Sequence, residues 1–284
     1  MTITAKIIAD SVAPHGVRLT SVQLRYPRFI HAEVMTHRVF SRNASSSRAI
    51  PVERLIQDVL ADTAMPIHWG KNQPGMQARE EHDATVRLYI GDDEDRMPEY
   101  DEFERNEAWL RGRDQMIELA RAFDTAGYHK QVVNRPLEPF SHINVLVTAT
   151  EWENFFELRD HEDAQPEIQV LARAIKEAMG ASTPQVLERG EWHLPYITRE
   201  EMAVEHISTL KYVSAARCAR VSYLTHEGKK STVAEDLALC QKLVGGRPFH
   251  ASPFEHQAEP APTRRRYRNF RGWFQFRGQI EAAA

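Results

Sequence analysis

The stretch Thr36-His37-Arg38-Val39-Phe40-Ser41-Arg42-Asn43-Ala44-Ser45-Ser46-Ser47-Arg48 sets one histidine, three guanidiniums and a dense run of hydroxyls close together. Serine hydroxyls, free backbone N–H groups in a turn and a guanidinium fork suit an anionic phosphate ester. Composition alone also permits a polar helix exit that caps itself. A second segment, Glu157-Leu158-Arg159-Asp160-His161-Glu162-Asp163-Ala164-Gln165-Pro166-Glu167-Ile168, places Arg159 among acids where one apolar pattern ends and the next begins. Read structurally, it is a salt-bridged interhelical corner. A third pairs Arg217-Cys218-Ala219-Arg220-Val221-Ser222-Tyr223 with His250-Ala251-Ser252-Pro253-Phe254-Glu255-His256. Each alone is an ordinary helix end or turn.

Several chemistries are set aside by what the sequence lacks. It has no GxGxxG, GxxxxGK[ST], HExxH, CxxC or GxSxG. The 13 histidines do not pair at metal-ligand spacing with a second cluster, so no metal is expected. Cys218 and Cys240 fall inside apolar helical patterns and read as core packing, not as nucleophiles.

Together the three segments resemble the flavin-dependent thymidylate synthases. That family carries an R-H-R followed by S-x-N-x-x-S-x-R, which stands here as T-H-R-V-F-S-R-N-A-S-S-S-R. Its R-A-A-R-V-S-[FY] and H-x-[ST]-P-F-E-H segments are matched by RCARVSY and HASPFEH. Its N-F-x-x-L-R…A-Q-x-E-I corner is matched by Asn154 to Arg159 and Ala164 to Ile168. The order differs, because the RCARVSY and HASPFEH pieces follow the others at 217–256. The chain therefore resembles a circularly permuted member, which is plausible where old termini lie close at the surface. The resemblance covers roughly 18–51, 128–180 and 207–257, and leaves out 52–127 and the tail after 257.

The resemblance implies an enzyme that methylates dUMP to dTMP with FAD, NADPH and 5,10-methylenetetrahydrofolate, in a cytoplasmic homotetramer with sites between subunits. The implied alternatives are a related C5 methyl- or hydroxymethyl-transferase on another pyrimidine nucleotide such as dCMP, or a non-catalytic nucleotide-binding relative. It implies that His37, Arg38, Asn154, Ser222, His250 and Ser252 touch FAD. Ser46, Ser47 and Arg48 would hold the nucleotide phosphate, with Lys130 or Arg135 as a further cation. Arg159 would contact the pyrimidine and stabilise charge developing on the ring. The departures from the family are Thr36 for the first arginine of R-H-R, Glu33 for a glutamine, Ala44 for an acid, Ala49 for a tyrosine and Thr148 for an asparagine. Glu33 either faces the ring, where a carboxylate only accepts, or salt-bridges Arg38 or Arg48. Arg271 is one candidate to replace the guanidinium missing at Thr36.

These residues need elements to position them. Residues 4–10 and 17–25 alternate and are rich in β-branched side chains, so they predict two strands around the turn signals Pro14 and Gly16. Pro27 suits the first turn of a helix through Phe29, Ile30, Val34 and Met35. Pro51 opens another helix, and 63–78 is loop-like. The acidic run 91–107 predicts a solvated loop leading into a charged helix. Helical spacing is expected over 108–126, 139–158, 165–179, 206–219 and 232–244. The tail from Arg264 to Arg277 is basic and aromatic, and suits a helix at a subunit interface, a solvated arm or a nucleic-acid contact.

A length of 284 residues, 42% hydrophobic and 27% charged, fits one helix-rich α+β domain with a small, mostly antiparallel sheet. The mean hydropathy of -0.52 and the lack of an apolar run near ~20 residues argue against a membrane span. A net charge of -4 argues against a generic nucleic-acid coat. No basic-then-apolar leader opens the sequence, and two cysteines build no disulfide framework, so an intracellular chain is expected.

Overall fold

The expected hairpin forms as β1 (Thr4–Val12) and β2 (Arg18–Pro27), joined by a turn in which Gly16 adopts a φ of +86°. A computed structural model describes residues 3–92, 97–221, 231–246 and 249–283. Around this hairpin a five-stranded sheet is completed by β3 (Ser41–Ala44), β4 (His142–Ala149) and β5 (Gln185–Val186). Its order is β3-β4-β2-β1-β5, and every pairing is antiparallel except that of β1 with β5.

The sheet corrects three sequence expectations. Residues 139–158 do not form one helix, because 142–149 is β4 and only Glu153–Arg159 is helical (α3). The cause is double burial. Ile143, Val145 and Val147 pack toward the main core, while Leu146 meets Cys218 and Val221 on the other face. A strand buried on both sides loses its polar alternation and cannot be told from a buried helix by periodicity. Ser41–Ala44, read as a polar helix exit, is an edge strand paired with Val145 to Thr148. Pro27 ends β2, and the helix expected after it shrinks to turns at Arg28–Ile30 and His31–Val34.

Helices cover both faces. On one, α3 and α4 (Pro166–Gly180) bury Phe155, Ile168, Leu171, Ala172 and Ile175 against β2 and β4. On the other lie α5 (Ile207–Arg220), α6 (Val233–Gly245) and the C-terminal α7 (Phe276–Ala283). The helix expected after Pro51 is Val52–Ala61, and it packs with the long Arg105–Thr125 helix on Ile117, Val133 and Phe140. Of the acidic run, 91–92 and 98–103 lie in a hairpin of Val86–Asp92 with Pro98–Phe103, 105–107 open the Arg105–Thr125 helix, and 93–96 lie outside the described residues. Cys218 and Cys240 are buried, as their apolar patterns required. Among the described residues no helix is long and apolar enough to cross a membrane.

The tail is not a loose arm, and only from Phe276 is it helical. Trp273–Gln275 pairs with Ala258–Pro260, Phe270 and Trp273 are fully buried, and the Trp273 indole N–H donates to the Val17 carbonyl at 3.1 Å. Its arginines serve the same chain, with Arg266 paired to Glu151 and Arg268 to Glu281.

A chain of buried polar groups crosses the sheet. Ser11 and Ser21 flank the ring of His193 at 2.9 and 2.8 Å, Ser21 meets Thr148 at 2.6 Å, and Thr148 meets His256 Nδ1 at 2.8 Å. Burial lowers the pKa of His193 and of His256 to about 3, and that of His142 to about 4.

Two outcomes follow from this packing. Trp273→Ala should lower the unfolding free energy by ~3–5 kcal/mol, as aromatic truncations in cores do, whereas exposed Arg265→Ala should change it by under ~0.5 kcal/mol. Urea midpoints check both, and equal effects would mean the tail is not packed. His142, His193 and His256, with His31 and His37 whose pKa values also fall to about 4, stay neutral in the folded state but protonate near pH 6.5 when unfolded. Stability is therefore complete above about pH 6.5 and is lost as pH falls toward 4, at about 1.4 kcal/mol per pH unit for each group. A flat stability profile between pH 7 and 4.5 would refute this.

Candidate active site

Phe155 and Arg159 stand four residues apart on α3 and so share one face of the helix. Phe155 is buried and meets the ring of His37 edge-on, with centroids 4.9 Å apart. That contact draws the loop after His31–Val34 over the end of α3. Arg159 then spends its whole guanidinium on this loop. Its Nε donates to His37 Nε2 at 3.1 Å, Nη1 to Glu33 at 3.0 Å and Nη2 to the Thr36 hydroxyl at 3.2 Å. Arg42, on β3, holds the loop from the other side by donating to the Met35 and His37 carbonyls.

The clamp fixes a protonation state. Because Arg159 donates to His37 Nε2, that nitrogen carries a lone pair and the ring is neutral. Burial, followed by the Arg159 and Arg42 charges, lowers the His37 pKa to about 4. Glu33 is the anion that balances Arg159, so it salt-bridges neither Arg38 nor Arg48, the partners expected from sequence. The guanidinium beside Thr36 is that of Arg159, while Arg271, on the strand Phe270–Arg271, donates its backbone N–H to the Thr150 hydroxyl at 3.0 Å. The corner after Arg159 is also salt-bridged, with Asp160 paired to Arg173 and Lys176.

A second cluster gathers the expected phosphate ligands. Asn134, fully buried, donates to the Ser47 and Ile50 carbonyls at 2.8 and 3.0 Å and so shapes the 46–50 turn. Lys130 donates to the Ala49 carbonyl at 3.0 Å. Glu138 accepts from the buried Ser47 hydroxyl at 2.5 Å and from Arg135 at 3.0 Å. Ser46, Ser47, Arg48, Lys130 and Arg135 are thus on one patch, with Arg48 exposed and forming no ion pair among the described residues. Sequence reading missed Asn134 and Glu138, which build the turn. Their only signal was the 130–140 stretch, whose register the motifs left ambiguous.

Of the expected flavin contacts, His37 is buried in the clamp with its Nε2 taken by Arg159, whereas the other described ones are surface groups. Arg38 and Asn154 are exposed on either side of the His37–Phe155 contact. Ser252 is exposed on the turn Ser252–Glu255, which packs against β3, and His250 lies just before it. Ser222 lies outside the described residues. Neither cysteine competes for chemistry, since burial pushes the Cys240 thiol up to about 12 and Cys218 well above its usual range.

A cavity of about 1250 Å³ opens on Arg159 and Glu33 and is lined as well by Phe29, Pro66, His68 and Trp109. The backbone N–H of Ile67 donates to buried Glu167 at 2.9 Å, tying the cavity's far wall to the start of α4.

Comparison with known proteins follows this geometry. The sequence matches the family described as thymidylate synthase complementing protein over residues 17–185. No curated protein matches it. Among solved structures it is similar to the UMP/dUMP methylase PolB from Streptomyces cacaoi bound with 5-Br UMP, at 16% identity over 63% of this chain and 89% of that one, with a TM-score of 0.45. The same methylase bound with 5-Br dUMP gives 15% identity, coverage of 63% and 90%, and a TM-score of 0.42. With the match spanning more than half its length, the chain belongs to the thymidylate synthase complementing proteins, the flavin-dependent thymidylate synthase family, and is an enzyme of methyltransferase type.

Proposed function

We propose that the protein reductively methylates dUMP to dTMP, with FAD as cofactor, NADPH as reductant and 5,10-methylenetetrahydrofolate as carbon donor. The observation that carries this reading is the Arg159 guanidinium, held by Glu33, Thr36 and His37 at the mouth of the cavity in a chain of this family. Methylation at C5 requires electron density to move through the pyrimidine ring onto its oxygens. A guanidinium fixed before the reaction begins stabilises that charge without reorganising, which is where electrostatic catalysis is strongest. No thiol adduct is needed, and the buried cysteines offer none.

The other residues divide the binding. Ser46, Arg48, Lys130 and Arg135 take the phosphate, Arg48 as an exposed fork, while Ser47, its buried hydroxyl committed to Glu138, holds the turn that presents them. Glu33 and Arg159 face the base. The donor set for FAD also fits: Arg38 is exposed with no ion pair among the described residues, and the polar side chains of Asn154, His250 and Ser252 are exposed with it. Ser222 belongs to the same set. A bound flavin supplies the reducing equivalents, and neutral His37 keeps Arg159 aimed without adding a competing charge. Subunits of a cytoplasmic homotetramer complete the sites.

Glu33 favours one second reading. A carboxylate 3.0 Å from Arg159 only accepts hydrogen bonds, so it selects an N–H edge of the base. Uracil N3–H meets that demand, and so does the cytosine N4 amino group, which admits methyl or hydroxymethyl transfer to dCMP. Uracil remains the base favoured by family membership.

The purified protein should be yellow, with flavin absorbance that NADPH bleaches, and should turn over dUMP in preference to dCMP and UMP. Methylation of dCMP without dUMP would establish the second reading, and a colourless protein that FAD does not reconstitute would refute both. Arg159→Ala should lower kcat by 10²–10³, the loss of about 3–4 kcal/mol typical of one transition-state donor. Arg48→Ala should chiefly raise the nucleotide KM. A Cys218→Ser/Cys240→Ser double variant that still folds and binds FAD should keep turnover within a few-fold, and complete loss would restore a thiol mechanism.

A further inference from the structure

The cavity at Arg159 has a wall that no motif of the sequence marks. It comes from residues 63–82 and from Trp109 of the Arg105–Thr125 helix. The wall is anchored at both ends. Ile67 N–H is held by Glu167, and across the mouth Gln77 donates to the Asp163 carbonyl at 3.1 Å while Arg79 pairs with the Asp163 carboxylate at 3.1 Å. Trp109 is fixed in orientation as well. Its indole N–H donates to the Ala64 carbonyl at 2.9 Å, and its ring is met edge-on by Trp69 and Phe140.

Between these anchors the wall presents Met76, which lines the cavity yet is 95% exposed. Its backbone follows Gly75, whose φ of +102° carries the chain through a left-handed turn with no atom within 4 Å of a would-be Cβ. A thioether at that position gains hydrophobic stabilisation when a ligand covers it. Phe29 and Trp109 line the same space. Sulfur and aromatic faces suit a flat ring. Charge points the same way: Arg79 and Arg159 in the lining are paired to Asp163 and Glu33, while Glu157 and Glu162 line the cavity with no ion pair among the described residues and disfavour a phosphate. At about 1250 Å³ the space also exceeds the ~300–1,000 Å³ that one drug-sized ligand commonly fills.

We propose that Met76 and Trp109 form a specificity wall that seats an uncharged, flat heteroaromatic ring beside Arg159, leaving the phosphate to the Arg48 patch. This rests on the proposed nucleotide reaction, which offers two such rings, the pyrimidine base and the pterin of the folate.

Calorimetry on the FAD-loaded full chain separates the two, with dUMP, 5-formyltetrahydrofolate and deoxyribose 5-phosphate as probes. Met76→Ser, at an exposed position, leaves folding intact, and Trp109→Leu is the stronger but riskier change. Met97→Ser, 61% exposed outside the cavity lining, is the control. Met76→Ser should weaken one aromatic ligand about 5–10-fold and leave deoxyribose 5-phosphate and the control untouched. Loss for dUMP assigns the wall to the base, and loss for the folate assigns it to the pterin. Unchanged affinity for both in Met76→Ser, or an equal loss for deoxyribose 5-phosphate, overturns the inference. Wild-type protein that binds neither aromatic ligand overturns the underlying reaction along with it.

Discussion

The double burial of β4 is the constraint on which the site depends. Residues 142–149 contribute no formal charge in the interior, pair with β2 along their whole length and, among the described residues, give β3 its only partner in the sheet. Because β3 carries Arg42 and sits directly after the His37 loop, the position of that loop is inherited from β4. The chain then turns at Glu151 and Trp152 into α3, so the same strand that fixes His37 also launches Arg159. Two groups 122 residues apart in sequence meet because one strand serves both.

Arg159 illustrates how a functional cation is kept at modest cost. Its side chain is 19% exposed, and an unpaired guanidinium so placed would lose much of its hydration. Glu33 supplies charge, Thr36 a hydroxyl and His37 a lone pair, so every nitrogen of the fork has a partner. The substitution of threonine for the family's first arginine is consistent with this. A guanidinium at position 36 would confront that of Arg159, whereas a hydroxyl accepts from it. Glu33 for glutamine adds the anion with which the Arg159 guanidinium is paired.

The segments that gather at the candidate site were legible by residue type, whereas the strands that position them were not. Thr36 to Arg48 and Asn154 to Ile168 announce their chemistry through residue types at short spacing, and the structure gathers Glu33, His37 and Arg159 into one clamp and Ser46 to Arg48, Lys130 and Arg135 into one patch. What the sequence concealed was conditional on three dimensions. Ile143 to Ala149 alternates no polarity because both faces are covered. Ser41 to Ala44 looks like a cap because an edge strand with small polar side chains has little hydrophobic signal. Trp273 and Phe270 sit among arginines whose partners, Glu151 and Glu281, lie far away in sequence or on the next helix. Asn134 and Glu138 were missed because their task is to hold a turn, and turn holders have no fixed spacing to what they hold.

The buried hydroxyl and imidazole groups between Ser11 and His256 obey a counting rule. Each hydroxyl and each neutral imidazole owns one proton, and each of the four contacts needs one. If His193 gives its proton to Ser11, Ser21 must donate to His193, Thr148 to Ser21, and His256 Nδ1 to Thr148. If His193 gives it to Ser21 instead, use of the Ser21 and Thr148 protons within the row reverses each remaining contact. The row therefore has two continuous polarities, each of which leaves one of the five protons outside the four contacts. The Nε2 atom of His256, buried and without a partner among the described residues, is a bare lone pair in one polarity and an N–H in the other. Reversing the row would change the character of that atom from acceptor to donor while the net charge of the interior stayed at zero.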